Sequence, residues 1–123
     1  MKLLTRLLIV VFTLTLHSCV ENENAKNIVG NWKGAEWLID EKQSDRNVAE
    51  TKFTFDDKGV YTFLYGSKLE KGTYKVENDM LFTKPAEGQE IMVKINKLNK
   101  DSLVFDMNRS GVKEILTLVK SPN

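Results

Sequence analysis

The chemistry open to this chain is bounded first by what it lacks. Its one histidine, His17, and its one cysteine, Cys19, both lie near the N-terminus. From residue 20 onward there is no imidazole and no thiol. A Ser-His-Asp or Cys-His nucleophile and a zinc site with His or Cys ligands are therefore excluded from that region. Carboxylates are plentiful but scattered. Composition alone permits a pair for glycoside hydrolysis, and Asp56-Asp57 could meet a cation, yet no loop repeats acids at EF-hand spacing. Glu36, Glu50, Glu70 and Glu114 alternate with strand-like residues and read as the solvated side of a sheet. The expectation is a protein that is not an enzyme and holds no metal or cofactor. What remains is a set of aromatic residues: Trp32, Phe53, Phe55, Tyr61, Phe63, Tyr65, Tyr74 and Phe105. These are the candidate lining of a ligand site. Buried tyrosines would each need a hydroxyl partner, which a ligand or an ordered water could supply. In a small barrel, inward rings can also simply fill the interior. Filled core and ligand pocket both stay open.

Charge narrows the partners. The 18 basic and 17 acidic residues give +1; without Lys2 and Arg6 the balance is 16 against 17, or −1. Such a balance predicts no attraction to nucleic acid or to anionic headgroups. With 123 residues, 41% of them hydrophobic and 28% charged, the chain has room for one globular core.

The N-terminus reads as a delivery segment. Lys2 and Arg6 precede an apolar run, Leu7 to Leu16, which is too short to cross a bilayer as a helix of roughly 20 residues. Leu16-His17-Ser18-Cys19 closes it and resembles the lipobox of bacterial lipoproteins. That resemblance implies cleavage before Cys19 and acylation of Cys19, giving a membrane anchor of two or more chains, since one chain alone binds marginally. It further implies residence in the cell envelope as an outer-membrane lipoprotein, facing the periplasm or the surface. Glu21 and Glu23 loosely resemble a surface-export mark; a plain solubilising linker explains them equally. With Cys19 as the only cysteine, no internal disulfide can form. The expected layout is a signal over 1–18, the lipidated Cys19 with a polar tether to residue 27, and one domain over 28–123. An extended tether from Val20 to Asn27 would reach at most ~28 Å.

The domain has to position the aromatic set, and its apolar residues recur mostly with period two. Turn signals near Asp57-Lys58, Gly66-Ser67, Asn78-Asp79, Glu87-Gly88, Lys100-Asp101 and Ser110-Gly111 divide it into short strands. These are expected at about 28–40, 48–56, 60–66, 69–77, 80–84, 90–98, 103–109 and 112–120. Asp56-Asp57-Lys58-Gly59-Val60 suits a three-residue hairpin loop with glycine at positive φ. That register pairs Phe55 with Tyr61 and Phe53 with Phe63. Asn78-Asp79 likewise pairs Val76 with Leu81 and brings Tyr74 and Thr83 inside. Leu103, Phe105 and Met107 share one face. In the last strand, Leu116/Leu118 and Ile115/Val119 are equally apolar, so its inward face is undetermined.

Gly30-x-Trp32, Phe55-x-x-x-Gly59-x-Tyr61 and Gly72-x-Tyr74-x-Val76 together resemble the small lipocalin-like, calycin-type lipoproteins of Gram-negative bacteria. The resemblance implies an all-β fold: an up-and-down antiparallel meander of about eight strands closed into a small barrel. In that family the Gly allows close approach and the indole plugs one end. A full lipocalin also carries a Thr-Asp-Tyr motif, absent here, and a late Arg on the Trp, for which Arg109 and Lys120 are the two candidates. Long loops at 41–47 and 85–89 fall on the end opposite Trp32, so the opening is expected there. Two functions follow: a carrier of a small apolar ligand, or a module that binds or inhibits an envelope protein through its surface. Asp101-Ser102-Leu103 also resembles an O-glycosylation acceptor, with a plain turn as the alternative.

Overall fold

A computed structural model describes residues 20–122; the signal segment and Cys19 lie outside them. The chain begins with helix α1 (Val20–Asn27), followed by strands β1 (Gly30–Ile39), β2 (Lys42–Gln43), β3 (Thr51–Phe55), β4 (Val60–Tyr65) and β5 (Lys68–Glu77). It ends with β6 (Met80–Pro85), β7 (Ile91–Leu98), β8 (Ser102–Arg109) and β9 (Val112–Lys120). From β3 to β9 each strand pairs with its sequence neighbour, and β1 pairs with both β3 and β9. All of these pairings are antiparallel, so eight strands close into an up-and-down barrel. Closure leaves no long unpaired edge.

Turn chemistry sets the register as expected. Gly59 adopts φ 85°, Asp56 N–H donates to the Val60 carbonyl at 2.9 Å, and Phe55 faces Tyr61 while Phe53 faces Phe63. The Asp56 carboxylate caps the loop by accepting from the amides of Val60 and Lys58 at 2.8 and 2.9 Å. The Val60 amide, then Lys58 and Lys71, hold its carboxyl below the usual carboxylate range. Asn78 turns at φ 55°, and Val76 and Tyr74 pair with Leu81 and Thr83.

Two features, the 41–47 segment and the tether, differ from expectation, and one left undetermined, the inward face of the last strand, is decided. Beyond Ile39 the 41–47 segment is not all loop: Asp40 and Glu41 both take positive φ, and β2 folds back on Leu38 and Ile39. Non-glycine residues seldom adopt that conformation, so the two-residue turn has no marker in the sequence. The last strand turns Leu116 and Leu118 inward, fully buried, and leaves Val119 exposed. The polar tether is a helix over Val20–Asn27. Eight residues do not hold a helix alone in water. Tertiary contacts hold it: Asn24 Nδ2 donates to the Asn78 carbonyl at 2.8 Å, and Ile28, just past its end, is completely buried. The helix therefore lies at the barrel end that carries the tight β3–β4, β5–β6 and β7–β8 turns.

Trp32 sits at this same end, 1% exposed, with Nε1–H donating to the Ile28 carbonyl at 2.8 Å. Lys120 covers it, Nζ 4.6 Å from the ring centroid and 2.7 Å from the Val29 carbonyl. Lys120 is thus the late cation on the indole, and Arg109 belongs to the opposite end. Gly30, at φ 138°, lets the chain pass beneath this lysine; a Cβ there would fall 2.2 Å from Lys120 Nζ.

Candidate functional site

The other end of the barrel is open. Between β1 and the seven strands β3 to β9 lies a cavity of about 160 Å³. Phe53, Phe63, Phe105, Leu81, Met107 and Leu116 supply its apolar wall; Trp37, Tyr61, Thr83, Glu70 and Arg109 supply polar atoms. Outside it is a shallower hollow of about 270 Å³ that shares Trp37, Phe63, Glu70 and Arg109 and adds Arg46, Tyr65 and Lys68. The opening therefore lies at the end where the long 41–47 segment sits, as the loop lengths predict. The 85–89 loop contributes no side chain to either hollow.

Strand pairing builds the apolar wall. Phe53 and Phe63 face each other across β3 and β4 and stack at 4.5 Å between centroids. Phe105 meets Phe53 edge-on at 5.6 Å. Both geometries suit the quadrupoles of the rings. Of the eight aromatic residues expected to line a site, Phe53, Tyr61, Phe63 and Phe105 do so. Tyr65 lines the outer hollow, where its hydroxyl accepts from the Asn47 amide at 3.3 Å. Trp32, Phe55 and Tyr74 are not part of the lining, which corrects the expectation. Trp32 plugs the closed end, and Phe55 is buried against Tyr74 at 4.9 Å. Tyr74 donates its hydroxyl to the Asp56 carbonyl. Its phenol is held above the usual tyrosine range by burial, then by Asp56 and Asp57. Cys19 lies outside the described residues.

The polar atoms form two groups. The first centres on Glu114, which is 2% exposed rather than on the solvated face. Its Oε1 accepts from Trp37 Nε1 at 3.0 Å and lies 3.8 Å from Arg46 Nη2. Its Oε2 lies 3.1 Å from Arg109 Nε. Arg46 also stacks over Trp37, 4.9 Å from the ring centroid. Three chain segments thus converge on one carboxylate, which satisfies a charge that burial would otherwise forbid. The second group is a row: Tyr61 Oη–H donates to Glu70 Oε2 at 2.9 Å, and Tyr61 is also hydrogen-bonded to Thr83. Burial, then the Glu70 hydrogen bond and charge, push the Tyr61 phenol well above its usual range. It therefore stays a donor to Glu70 at physiological pH.

Glu70, Glu114, Trp37 and Arg46 are the site residues that sequence reasoning missed. Two could have been found. Strict alternation back from Leu118 and Leu116 puts Glu114 inside, and alternation from Tyr74 through Gly72 puts Glu70 there. Trp37 carried no such signal, because β1 slips register between Gly34 and Glu36. Among the described residues, no three acids gather as a cation site.

A closed eight-strand meander, plugged by tryptophan at one end and open over an aromatic cavity at the other, defines a small lipocalin-like barrel. Residues 28–105 match the family model described as "Lipocalin-like domain", and the chain belongs to that family. Among solved structures it is similar to an uncharacterized protein from Bacteroides eggerthii DSM 20697. The TM-score is 0.58 at 16% identity, covering 76% of this chain and 98% of that one. At that identity the likeness speaks for the fold alone. A search of curated proteins returned no match.

Proposed function

We propose that this protein is a cell-envelope lipoprotein that binds a small apolar ligand at the open end of its barrel, with no catalysis of its own. The observation that carries this is the cavity of about 160 Å³ walled by Phe53, Phe63 and Phe105 beneath a charged mouth. Concave, mostly apolar sites with a few convergent polar groups are where small molecules bind. The match of residues 28–105 to a lipocalin-like family favours the same reading. Glu114, engaged by two guanidinium groups and an indole, is poorly placed to act as a general acid or base.

Native mass spectrometry of the protein purified from its own cell envelope tests the binding. A bound apolar molecule is expected, and Phe63→Trp should abolish it, because the larger ring takes up cavity space without removing core. A clean apo mass together with a tightly co-purifying envelope protein would favour a surface-binding module instead. Exposed Leu69, Ile91 and Met92 give that second reading its footing.

The anchor rests on Leu16-x-Ser18-Cys19. A fatty-acid analogue should label the protein in the membrane fraction, and Cys19→Ala should abolish the label. Undiminished labelling of that variant would refute acylation at Cys19.

A further inference from the structure

We infer that the ligand of this cavity is a single-ring-sized group carrying one O–H or N–H donor that hydrogen-bonds to Glu70. The inference rests on the small-ligand reading above and adds its size and polarity. Size comes first. A cavity of about 160 Å³ is close to the engineered apolar cavity of roughly 150 Å³ that takes up one benzene molecule. A long acyl chain needs several times that space. The wall is also shaped for a ring, with Phe53 stacked on Phe63 and edge-on to Phe105.

Polarity comes from what is already engaged. The buried charge of Glu114 takes up both guanidinium groups at the mouth, Arg46 and Arg109. Neither is an uncommitted cation waiting for a ligand carboxylate. Glu70 differs. It lines both the cavity and the outer hollow, and among the described residues its carboxylate accepts one hydrogen bond, from the Tyr61 hydroxyl to Oε2. An ionised carboxylate accepts up to about four hydrogen bonds and donates none. Tyr61 spends its proton on Glu70, so the Thr83–Tyr61–Glu70 row presents acceptor capacity to the cavity. A donor on the ligand completes it, while an anionic group set against Glu70 itself would face a like charge; Lys68, the remaining cation, lines the outer hollow rather than the cavity.

Trp37 lines the cavity and reports occupancy by its fluorescence; Trp32, sealed at the far end, gives a constant background. Protein expressed from the full sequence would be titrated with p-cresol, toluene and decanoate. Glu70→Leu, of similar volume but with no acceptor, should weaken p-cresol about tenfold and leave toluene within about twofold. Glu70→Gln keeps an acceptor and should recover part of the p-cresol affinity. Decanoate should not displace p-cresol. Displacement by decanoate at equal concentration, or equal effects of Glu70→Leu on p-cresol and toluene, would overturn the inference while leaving small-ligand binding intact. Failure of all three probes to bind, together with a clean apo mass from the envelope, would overturn both.

Discussion

Trp32→Ala should cost this barrel about 3–5 kcal/mol, the range for truncating a large buried aromatic side chain. A domain of this size holds about 5–15 kcal/mol in total, so the variant should lose a large share of its stability, and at the low end of that range it should unfold. The indole is 1% exposed, and two neighbours depend on it. The Ile28 carbonyl accepts its N–H, and the Lys120 ammonium lies over its face. Ile28 also follows directly on α1, so loss of the plug should loosen the helix as well as the strands. Trp32→Phe separates the contributions: it keeps a ring under Lys120, drops the hydrogen bond, and should lose about half as much. Urea unfolding of the three proteins measures this. A midpoint for the alanine variant close to wild type would show that the ring is not the plug.

The second large effect belongs to Glu114→Ala, expected at about 2–3 kcal/mol. Removing the carboxylate strands the Trp37 N–H in a buried setting, and an unsatisfied buried donor costs about 1–3 kcal/mol. Breaking a wholly buried ion pair costs more, about 3–5 kcal/mol. That full cost does not apply here, because the side chains of Arg46 and Arg109 are 38% and 58% exposed and can return to water. Glu114→Gln keeps an acceptor for Trp37 and should lose less. Salt divides the two losses: at high ionic strength the Gln variant should approach wild type, since pairs with exposed arginines are screened. The alanine variant should stay destabilised. An alanine variant within about 0.5 kcal/mol of wild type, as ordinary surface changes are, would place the carboxylate outside the core.

The residues that were legible are those whose neighbours in sequence determine them. Gly59 and Asn78 impose turn geometry, and each turn sets the pairing of a whole hairpin, so Phe55 opposite Tyr61 and Val76 opposite Leu81 follow directly. What was illegible depends on distant chain. β1 slips between Gly34 and Glu36 and β7 between Ile95 and Lys97. A single-residue irregularity of this kind leaves no compositional mark, and it is what carries Trp37 inward. The general rule that acids are exposed places Glu70 and Glu114 on the surface. Tyr61, nine residues away, and Arg46, more than half the chain away, reverse that rule at these two positions. In β9, Leu116 and Ile115 are interchangeable as hydrophobes; only the Glu114 cluster on one face and closure against β1 decide between them. The α1 segment has no apolar stripe at all, and its order comes from Asn24 and from the burial of Ile28.

That short helix also gives the barrel a top and a bottom. It lies against the plugged end, so the described chain begins there, and the mouth opens in the opposite direction. Anything tethered upstream of Val20 would hold the molecule like a cup standing on its base. Traffic through the mouth would then come from the side away from the support. A molecule dissolved in that support would have to leave it and travel the height of the cup before reaching Phe63.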